Sequence, residues 1–234
     1  MNKVYKTVWN KNLGCWQVTS ELAKSHGKSA QSATVTGQIK QVSQSILHIA
    51  RLSLLSLALL PISIWAGVHD VQLPTNGIVT AGSAQVTQNN NTLNVQQNSQ
   101  NVGIQWDSFN IGQNATVNFY QPNSFSIAVN RVQDSNASQI MGKLNANGQV
   151  FLLNPNGVIF SKTAQVNVGG IVASTLNVTD SDIMSGNFTL KNQGATGKVE
   201  NHGSVIANGG VVAFIAPTVV NTGEIQAQNG VVHL

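Results

Sequence analysis

Two neighbouring acidic side chains can bind a cation or perform acid–base catalysis. Beyond residue 66 the acidic residues are Asp70, Asp107, Asp134, Asp180, Asp182, Glu200 and Glu224. Only Asp180 and Asp182 lie close together, in a Ser/Thr-rich segment where helix capping and solubility explain them more simply. The sequence therefore favours a structural role for this pair over a catalytic one.

Histidine, cysteine, serine and glycine patterns indicate no other active centre. His202 and His233 do not form a His-x-His or His-Glu-x-x-His motif, and Cys15 is the only cysteine. No Gly-x-Ser-x-Gly nucleophile elbow occurs, and Gly169-Gly170 lacks the Lys-Ser/Thr of a phosphate-binding loop. We therefore predict that the chain is not an enzyme and that it holds no cofactor and no metal.

The positive charge of the chain is concentrated near its N-terminus. The formal net charge is +4, but residues 1–66 carry seven of the 12 basic residues and only one of the 8 acidic residues. The remaining basic residues are scattered singly: Arg131, Lys143, Lys162, Lys191 and Lys198. Nucleic-acid binding requires basic residues clustered on the folded part of a protein, so we predict no nucleic-acid partner.

An apolar segment, residues 52–66, follows Arg51 and contains Pro61. It is too short to span a membrane comfortably. Its basic flank, its apolar core and the small residue Ala66 before Gly67 predict a secretory signal peptide that is cleaved after Ala66. A buried or re-entrant helix is the alternative. Residues 1–66 are thus the predicted leader, and residues 67–234 the predicted mature part.

The mature part shows short apolar segments bounded by Gly, Asn, Ser or Pro, which is the pattern of strands between tight turns. These segments are Gly77–Thr80, Thr92–Val95, Ala115–Tyr120, Ile127–Val129, Val166–Val168 and Ile171–Ala173. One short helix is predicted at Asp180–Met184, with Thr179 as its N-cap.

The sequence Asn154-Pro155-Asn156-Gly157 predicts a rigid β-turn, because proline presets φ, asparagine can bond the nearby backbone and glycine accepts the exit conformation. The flanking segments Val150–Leu153 and Val158–Phe160 are continuously apolar. We therefore expect strands that are covered on both faces in a layered β structure.

An internal repeat indicates the fold. Residues 201–212 align with residues 221–232 at an offset of 20, with matching Asn, Gly, Ala, Gly, Val and Val. Such a period suits one coil of a parallel β-helix, with three short strands and three turns per coil. Residues 67–234 would hold about seven or eight such coils. A β-sandwich is the alternative fold, although it does not require a repeat at this offset. A solenoid that stopped at Leu234 would expose its apolar cross-section, so we expect the mature domain to be truncated at its C-terminal end.

The whole set of motifs resembles the secretion domain of filamentous haemagglutinin and high-molecular-weight adhesins, which are exported by bacterial two-partner secretion. The residues that carry this resemblance are Gln105–Ile111, Val117–Phe119, Asn130–Val132, Asn147–Leu153 and Asn154–Gly157. The leader resembles the extended signal peptide region of the same proteins at Met1–Lys11, Leu13–Trp16 and Ser20–Lys24. The absence of an Asn-Pro-Asn-Leu motif makes the chain most similar to the high-molecular-weight adhesin branch.

The resemblance implies an all-β fold, a right-handed three-sided parallel β-helix with an N-terminal cap. It also implies partners: the inner-membrane secretion machinery, then an outer-membrane β-barrel transporter with periplasmic polypeptide-transport domains. The protein would reach the Gram-negative cell surface or the medium by way of the periplasm, and a downstream region would contact the host-cell surface. Asn154, Pro155, Asn156 and Gly157 would form a structural turn and a transporter-recognition element. Two alternatives are a β-helical carbohydrate-active enzyme and a domain that itself binds host-cell ligands.

Overall fold

A computed structural model describes residues 5–10, 15–20 and 68–234, and the chain divides into two units, residues 1–62 and 63–234. In the first unit β1 (Tyr5–Asn10) pairs with β2 (Cys15–Ser20) in antiparallel orientation, with Trp9 aligned opposite Trp16. This hairpin was not expected from the sequence. The apolar segment 52–66 and the predicted cleavage position between Ala66 and Gly67 lie outside the described residues.

The second unit consists of short strands and one helix, α1 (Asp180–Ser185). The strands are β3 (Ile78–Ala81), β4 (Ala84–Asn89), β5 (Thr92–Gln97), β6 (Asn101–Trp106), β7 (Thr116–Tyr120), β8 (Ile127–Val132), β9 (Ser138–Ile140), β10 (Lys143–Ala146), β11 (Gln149–Leu153), β12 (Val158–Phe160), β13 (Gln165–Val168), β14 (Gly170–Ser174), β15 (Lys198–Asn201), β16 (Ser204–Asn208), β17 (Val211–Ile215), β18 (Thr218–Asn221), β19 (Glu224–Gln228) and β20 (Val231–His233). All six predicted strand segments overlap these strands, and α1 begins at the predicted residue.

The strands form the three faces of a parallel β-helix. Face A has the order β19-β16-β13-β10-β7-β5-β4, face B the order β20-β17-β14-β11-β8-β6-β3, and face C the order β18-β15-β12-β9. From β10 onward the chain visits faces A, B and C in the same order in every coil. Parallel strands need such crossover connections, and here the other two faces provide them. The predicted β-helix is therefore confirmed.

The coils are longer and fewer than the repeat predicts. The solenoid has about six turns of about 22 residues. An offset of 20 is present at the C-terminal end, where Ser204 pairs with Glu224 and Val211 pairs with Val231. Earlier coils carry longer corners: Gln149 of β11 pairs with Ile127 of β8. Residues 175–197, between β14 and β15, form an excursion that belongs to no face.

The N-terminal end of the solenoid is closed by antiparallel strands, in agreement with the predicted cap. β3 pairs with β6 and β4 pairs with β5 in antiparallel orientation. The β4–β5 hairpin turns at Asn90, whose φ of 51° is a left-handed conformation that asparagine tolerates. Reversing the strand direction here ends the stacking of parallel coils at this side.

The core consists of inward side chains that stack from coil to coil. One column on face A contains Leu93, Val117, Leu144, Val166, Val205 and Ile225. A buried polar contact interrupts the apolar interior where Trp106 Nε1 donates to Asn130 Oδ1 at 2.9 Å. Both residues are buried, so this hydrogen bond satisfies two polar groups that would otherwise be costly in the core. Within the described residues, no helix is long and apolar enough to cross a membrane.

Candidate functional site

The segment Asn154–Gly157 forms the corner between β11 on face B and β12 on face C. The Gly157 N–H donates to the Asn154 carbonyl oxygen at 2.9 Å, which closes a β-turn. The Asn156 N–H donates to Asn154 Oδ1 at 2.9 Å, so the asparagine side chain supports the same turn. The corner is thus rigid through its own hydrogen bonds.

Asn154 joins three successive coils. Its side chain is fully buried, and its Nδ2 donates to the Asn136 carbonyl oxygen and to Ser138 Oγ in the preceding coil, both at 3.0 Å. Its backbone N–H donates to the Ser174 carbonyl oxygen of the following coil at 2.9 Å. A buried donor without its acceptors costs about 1–3 kcal/mol, so the side chain of Asn154 depends on the preceding coil and its backbone N–H on the following one.

Gly157 can only be glycine at this corner. Its φ is +111°, a conformation that L side chains rarely adopt. A Cβ at this position would lie 2.5 Å from the Lys198 carbonyl oxygen of the next coil. The Gly157 carbonyl oxygen also accepts a hydrogen bond from the Ser138 N–H at 3.0 Å. The coils above and below therefore approach the backbone of Gly157 directly.

The two middle residues of the corner face outward. Pro155 and Asn156 are exposed, whereas Asn154 and Gly157 are buried. Asn156 Nδ2 donates to the Asp134 carbonyl oxygen at 2.7 Å, and the Pro155 carbonyl oxygen accepts from the Gly197 N–H at 3.3 Å. The motif thus divides into an inward pair that fixes coil geometry and an outward pair that a partner can reach.

The strand before the corner is covered on both sides, as its apolar sequence predicts. Val150 and Leu152 belong to the core of the solenoid. Phe151 and Leu153 point to the outside of face B, where they pack in a second buried cluster with Val178. Residues 175–197, which we call the strap, supply Val178 and Ile183 to that cluster. The strap includes α1.

The candidate carboxylate pair lies in the strap, and both of its members are engaged. Asp180 forms an ion pair with Arg131 of β8 and accepts a hydrogen bond from Thr80 Oγ1 at 3.0 Å. Asp182 Oδ2 accepts from Thr179 Oγ1 at 2.8 Å, and Thr179 caps α1 as predicted. Sequence reasoning missed Arg131. The sequence did contain an indication of this role, because a single charged residue in an otherwise buried strand needs a partner of opposite charge.

A small charged group follows the strap on face C. Glu200 lies between Lys198, with which it forms an ion pair, and His202, whose Nε2 is 2.9 Å from Glu200 Oε2. These hydrogen bonds, to Lys198 first and to His202 second, lower the pKa of the Glu200 carboxyl. His202 Nδ1 lies 2.6 Å from Thr222 Oγ1 on the next coil, so the group links two coils.

Among the residues that the structure describes, no group of three or more His, Cys, Asp or Glu could hold a metal ion. Ala66 and Gly67 have no described geometry. Of the sequence-predicted site residues, the structure therefore brings together Asn154, Pro155, Asn156 and Gly157 at one corner.

The described domain is thus a capped parallel β-helix with an Asn-Pro-Asn-Gly corner between two of its faces. The family model described as "TPS secretion domain" matches residues 69–234, and the chain belongs to this family. The model described as "Extended Signal Peptide of Type V secretion system" matches residues 1–59. The two matches indicate a protein that is secreted through the Gram-negative envelope to the cell surface.

Solved and curated relatives agree with this assignment. The secretion domain of HMW1 from Haemophilus influenzae is similar in structure, with a TM-score of 0.62 and 36% identity over 66% of this chain and 42% of that chain. A heme/hemopexin-binding protein of H. influenzae is 40% identical over 172 residues, which are 69% of this chain and 19% of the relative. A second protein of that name is 56% identical over 64 residues, 27% of this chain and 7% of the relative. The chain thus spans less than a fifth of the length of these curated relatives.

Proposed function

We propose that residues 67–234 direct the export of a larger protein, as the substrate of an outer-membrane β-barrel transporter with periplasmic polypeptide-transport domains. Residues 1–66 act as the leader that engages the inner-membrane secretion machinery and is removed after Ala66. The observation that carries this proposal is the divided corner, whose inward pair holds three coils together while its outward pair remains accessible.

The inward pair gives export a stepwise folding mechanism. Asn154 bonds Ser138 behind it and Ser174 ahead of it, so its hydrogen bonds are complete only when the next coil arrives. In a solenoid each coil gains its stability mainly from its nearest neighbours. A chain that leaves the transporter unfolded would therefore add coils one at a time, and each coil would stabilise the previous one.

The outward pair gives the transporter a surface to bind. Pro155 and Asn156 are exposed, and a cleft of about 110 Å³ beside Pro155 has Leu153 and Leu176 in its walls. A rigid backbone that presents two side chains beside a partly apolar cleft loses little conformational entropy on binding. The corner is therefore suited to recognition by a protein partner.

The proposed role is not enzymatic. The carboxylates of Asp180 and Asp182 are occupied by Arg131 and Thr179, so they are not available as an acid–base pair. A β-helical carbohydrate-active enzyme is therefore the weaker alternative. Release of new reducing ends from polysaccharides by the purified protein would support that alternative instead.

Binding of a host ligand by the exported protein is a second candidate function, favoured by the name heme/hemopexin-binding protein of two relatives. We assign this activity to a region downstream of the secretion domain, because the similarity covers 19% or less of those relatives. An adhesion assay and a hemopexin-binding assay with the secreted domain alone test this assignment. Binding by the isolated domain would place the activity in the solenoid.

The export proposal is tested by producing the full chain with and without an outer-membrane transporter of the two-partner class. We expect the protein in the medium or at the surface only when the transporter is present. Replacing the outward pair by serine (Pro155→Ser with Asn156→Ser) should reduce the exported fraction severalfold. The outward residue Gln226 of face A is a matched control, and Gln226→Ser should be exported normally. Export without the transporter would contradict the proposal.

A further inference from the structure

The strap is a closed structural unit between β14 and β15. Its two ends are joined where the Asn177 N–H donates to the Lys191 carbonyl oxygen at 3.0 Å and the Lys191 N–H donates to the Asn177 carbonyl oxygen at 2.8 Å. Between them α1 begins after Thr179 and ends at Gly186, whose φ is +74°. The strap therefore has a defined shape, held by its own hydrogen bonds.

The strap covers an apolar patch on the outside of face B. Val129, Phe151 and Leu153 of β8 and β11 form this patch, and Val178 and Ile183 of the strap pack against it. The rings of Phe151 and Phe188 meet edge to face, with their centroids 5.3 Å apart. Without the strap these outward apolar side chains would face water, which is unfavourable.

The strap also contacts the N-terminal cap, far away in sequence. Asn101 Nδ2 on β6 donates to the Ile183 carbonyl oxygen at 3.0 Å, across 82 residues of sequence. Thr80 Oγ1 on β3 donates to Asp180 Oδ1, across 100 residues. Gly103 of β6 leaves room for Ile183, since a Cβ there would lie 3.1 Å from Ile183 Cδ1. Ile183 is fully buried in this socket.

Arg131 connects the cap, the central coils and the strap. From β8 its Nη2 donates to Thr80 Oγ1 of the cap at 2.7 Å, and its Nη1 donates to the Val178 carbonyl oxygen of the strap at 3.3 Å. Its ion pair with Asp180 adds a charge-assisted bond, and the arginine side chain is only 16% exposed. One side chain thus joins three regions that are separate in sequence.

We propose that the strap is a latch that locks the N-terminal cap onto the central coils. Strand β3 lies at the edge of face B, and α1 is the element that packs over it and over β6. Until residues 178–190 join, β3 keeps its pairing with β6 and its hydrogen bond from Arg131 but lacks the packing of α1. The cap therefore reaches its final stability late, after the coils that follow it in sequence. This device does not depend on transporter recognition.

Hydrogen–deuterium exchange of the full chain, refolded from urea without a transporter, tests the latch. Ile183→Asp places a charge in the socket. In this variant we expect the amides of β3 to exchange at least tenfold faster than in the wild type, while those of β16 keep their protection. Met184→Asp changes the adjacent helical residue, which is 54% exposed, and should exchange like the wild type.

Two milder variants test the latch if Ile183→Asp prevents folding altogether. Thr179→Ala removes the cap of α1, and Asp180→Asn removes the ion pair with Arg131. Both should accelerate exchange in β3 severalfold without affecting β16. Unchanged exchange in β3, or an equal acceleration in β3 and β16, would overturn the proposal.

Discussion

Two successive coils pass from face B to face C in contrasting ways. After β11 the chain turns within Asn154–Gly157, whose hydrogen bonds lie within the turn or reach one coil away. After β14 it makes the excursion of residues 175–197, whose contacts reach strands up to 100 residues earlier. The short corner determines the shape of a coil, whereas the strap determines when distant parts of the domain become joined.

The two corners also touch each other. Where the strap returns to face C, the Gly197 N–H donates to the Pro155 carbonyl oxygen at 3.3 Å. The next residue, Lys198, places its carbonyl oxygen against Gly157. The return of the strap therefore packs against the short corner, which also closes by hydrogen bonds of its own.

The largest expected loss of stability results from adding a methyl group at Gly157, in the Asn154–Gly157 corner. Gly157→Ala combines a strained φ with a clash against the Lys198 carbonyl oxygen, so we expect the free energy of unfolding to fall by about 3 kcal/mol. Urea denaturation followed by circular dichroism measures the change.

Gly209 provides the matched control for this substitution. Its φ of +94° is also positive, but no atom lies within 4 Å of the position that a Cβ would take there. Gly209→Ala should therefore cost only the backbone strain, about 1 kcal/mol. Equal losses in the free energy of unfolding for the two variants would mean that the close approach of Lys198 to Gly157 adds nothing to the cost of backbone strain.

The smallest expected effect is a dependence of stability on pH, which we expect near the strap but not at the Asn154–Gly157 corner. The Asn154–Gly157 motif has no titratable side chain, whereas β15, after the strap, carries Glu200 with its lowered pKa. A carboxyl whose folded pKa is lowered stabilises the fold above its unfolded pKa, near 4.5, and this contribution is lost as the pH falls through the folded pKa. At pH 7, Glu200→Gln should cost about 1 kcal/mol at most.

The urea midpoints of the wild type and of Glu200→Gln, at pH 7 and at pH 3, measure how much the Glu200 carboxylate stabilises the fold at each pH. The difference in midpoint between wild type and Glu200→Gln should narrow at the lower pH, because pH 3 lies below the unfolded pKa and the stabilisation that depends on the charged carboxyl diminishes there. The loss caused by Gly157→Ala should stay the same at both values. A Glu200→Gln effect that is independent of pH would argue that packing, rather than the ion pairs, makes this residue stabilising.

Sequence patterns predicted the features that depend on neighbouring residues. The repeat of residues 201–212 at 221–232 predicted the solenoid, because equivalent residues of adjacent coils pair directly. Thr179 and Asp180 predicted the start of α1, because capping acts within one helical turn. The turn at Asn154–Gly157 followed from the conformational preferences of its own residues.

The features that sequence reasoning missed depend on distant residues. The role of Arg131 becomes visible only when β8 lies beside Thr80 and Asp180. The socket at Gly103 likewise exists only because Ile183 reaches it from the strap. The number of coils was overestimated because the clear repeat lies at the C-terminal end, whereas the strap and the longer earlier corners lengthen the average coil.

Export of a Pro155→Ala/Gly157→Ala variant of the full chain, made together with the transporter, tests the central claim that this corner governs secretion. The exported fraction relative to the retained protein is measured by immunoblotting, with Gly209→Ala as the control. We predict that the double variant is exported at least tenfold less than the wild type, while Gly209→Ala is exported normally. Normal export of the double variant would contradict the account.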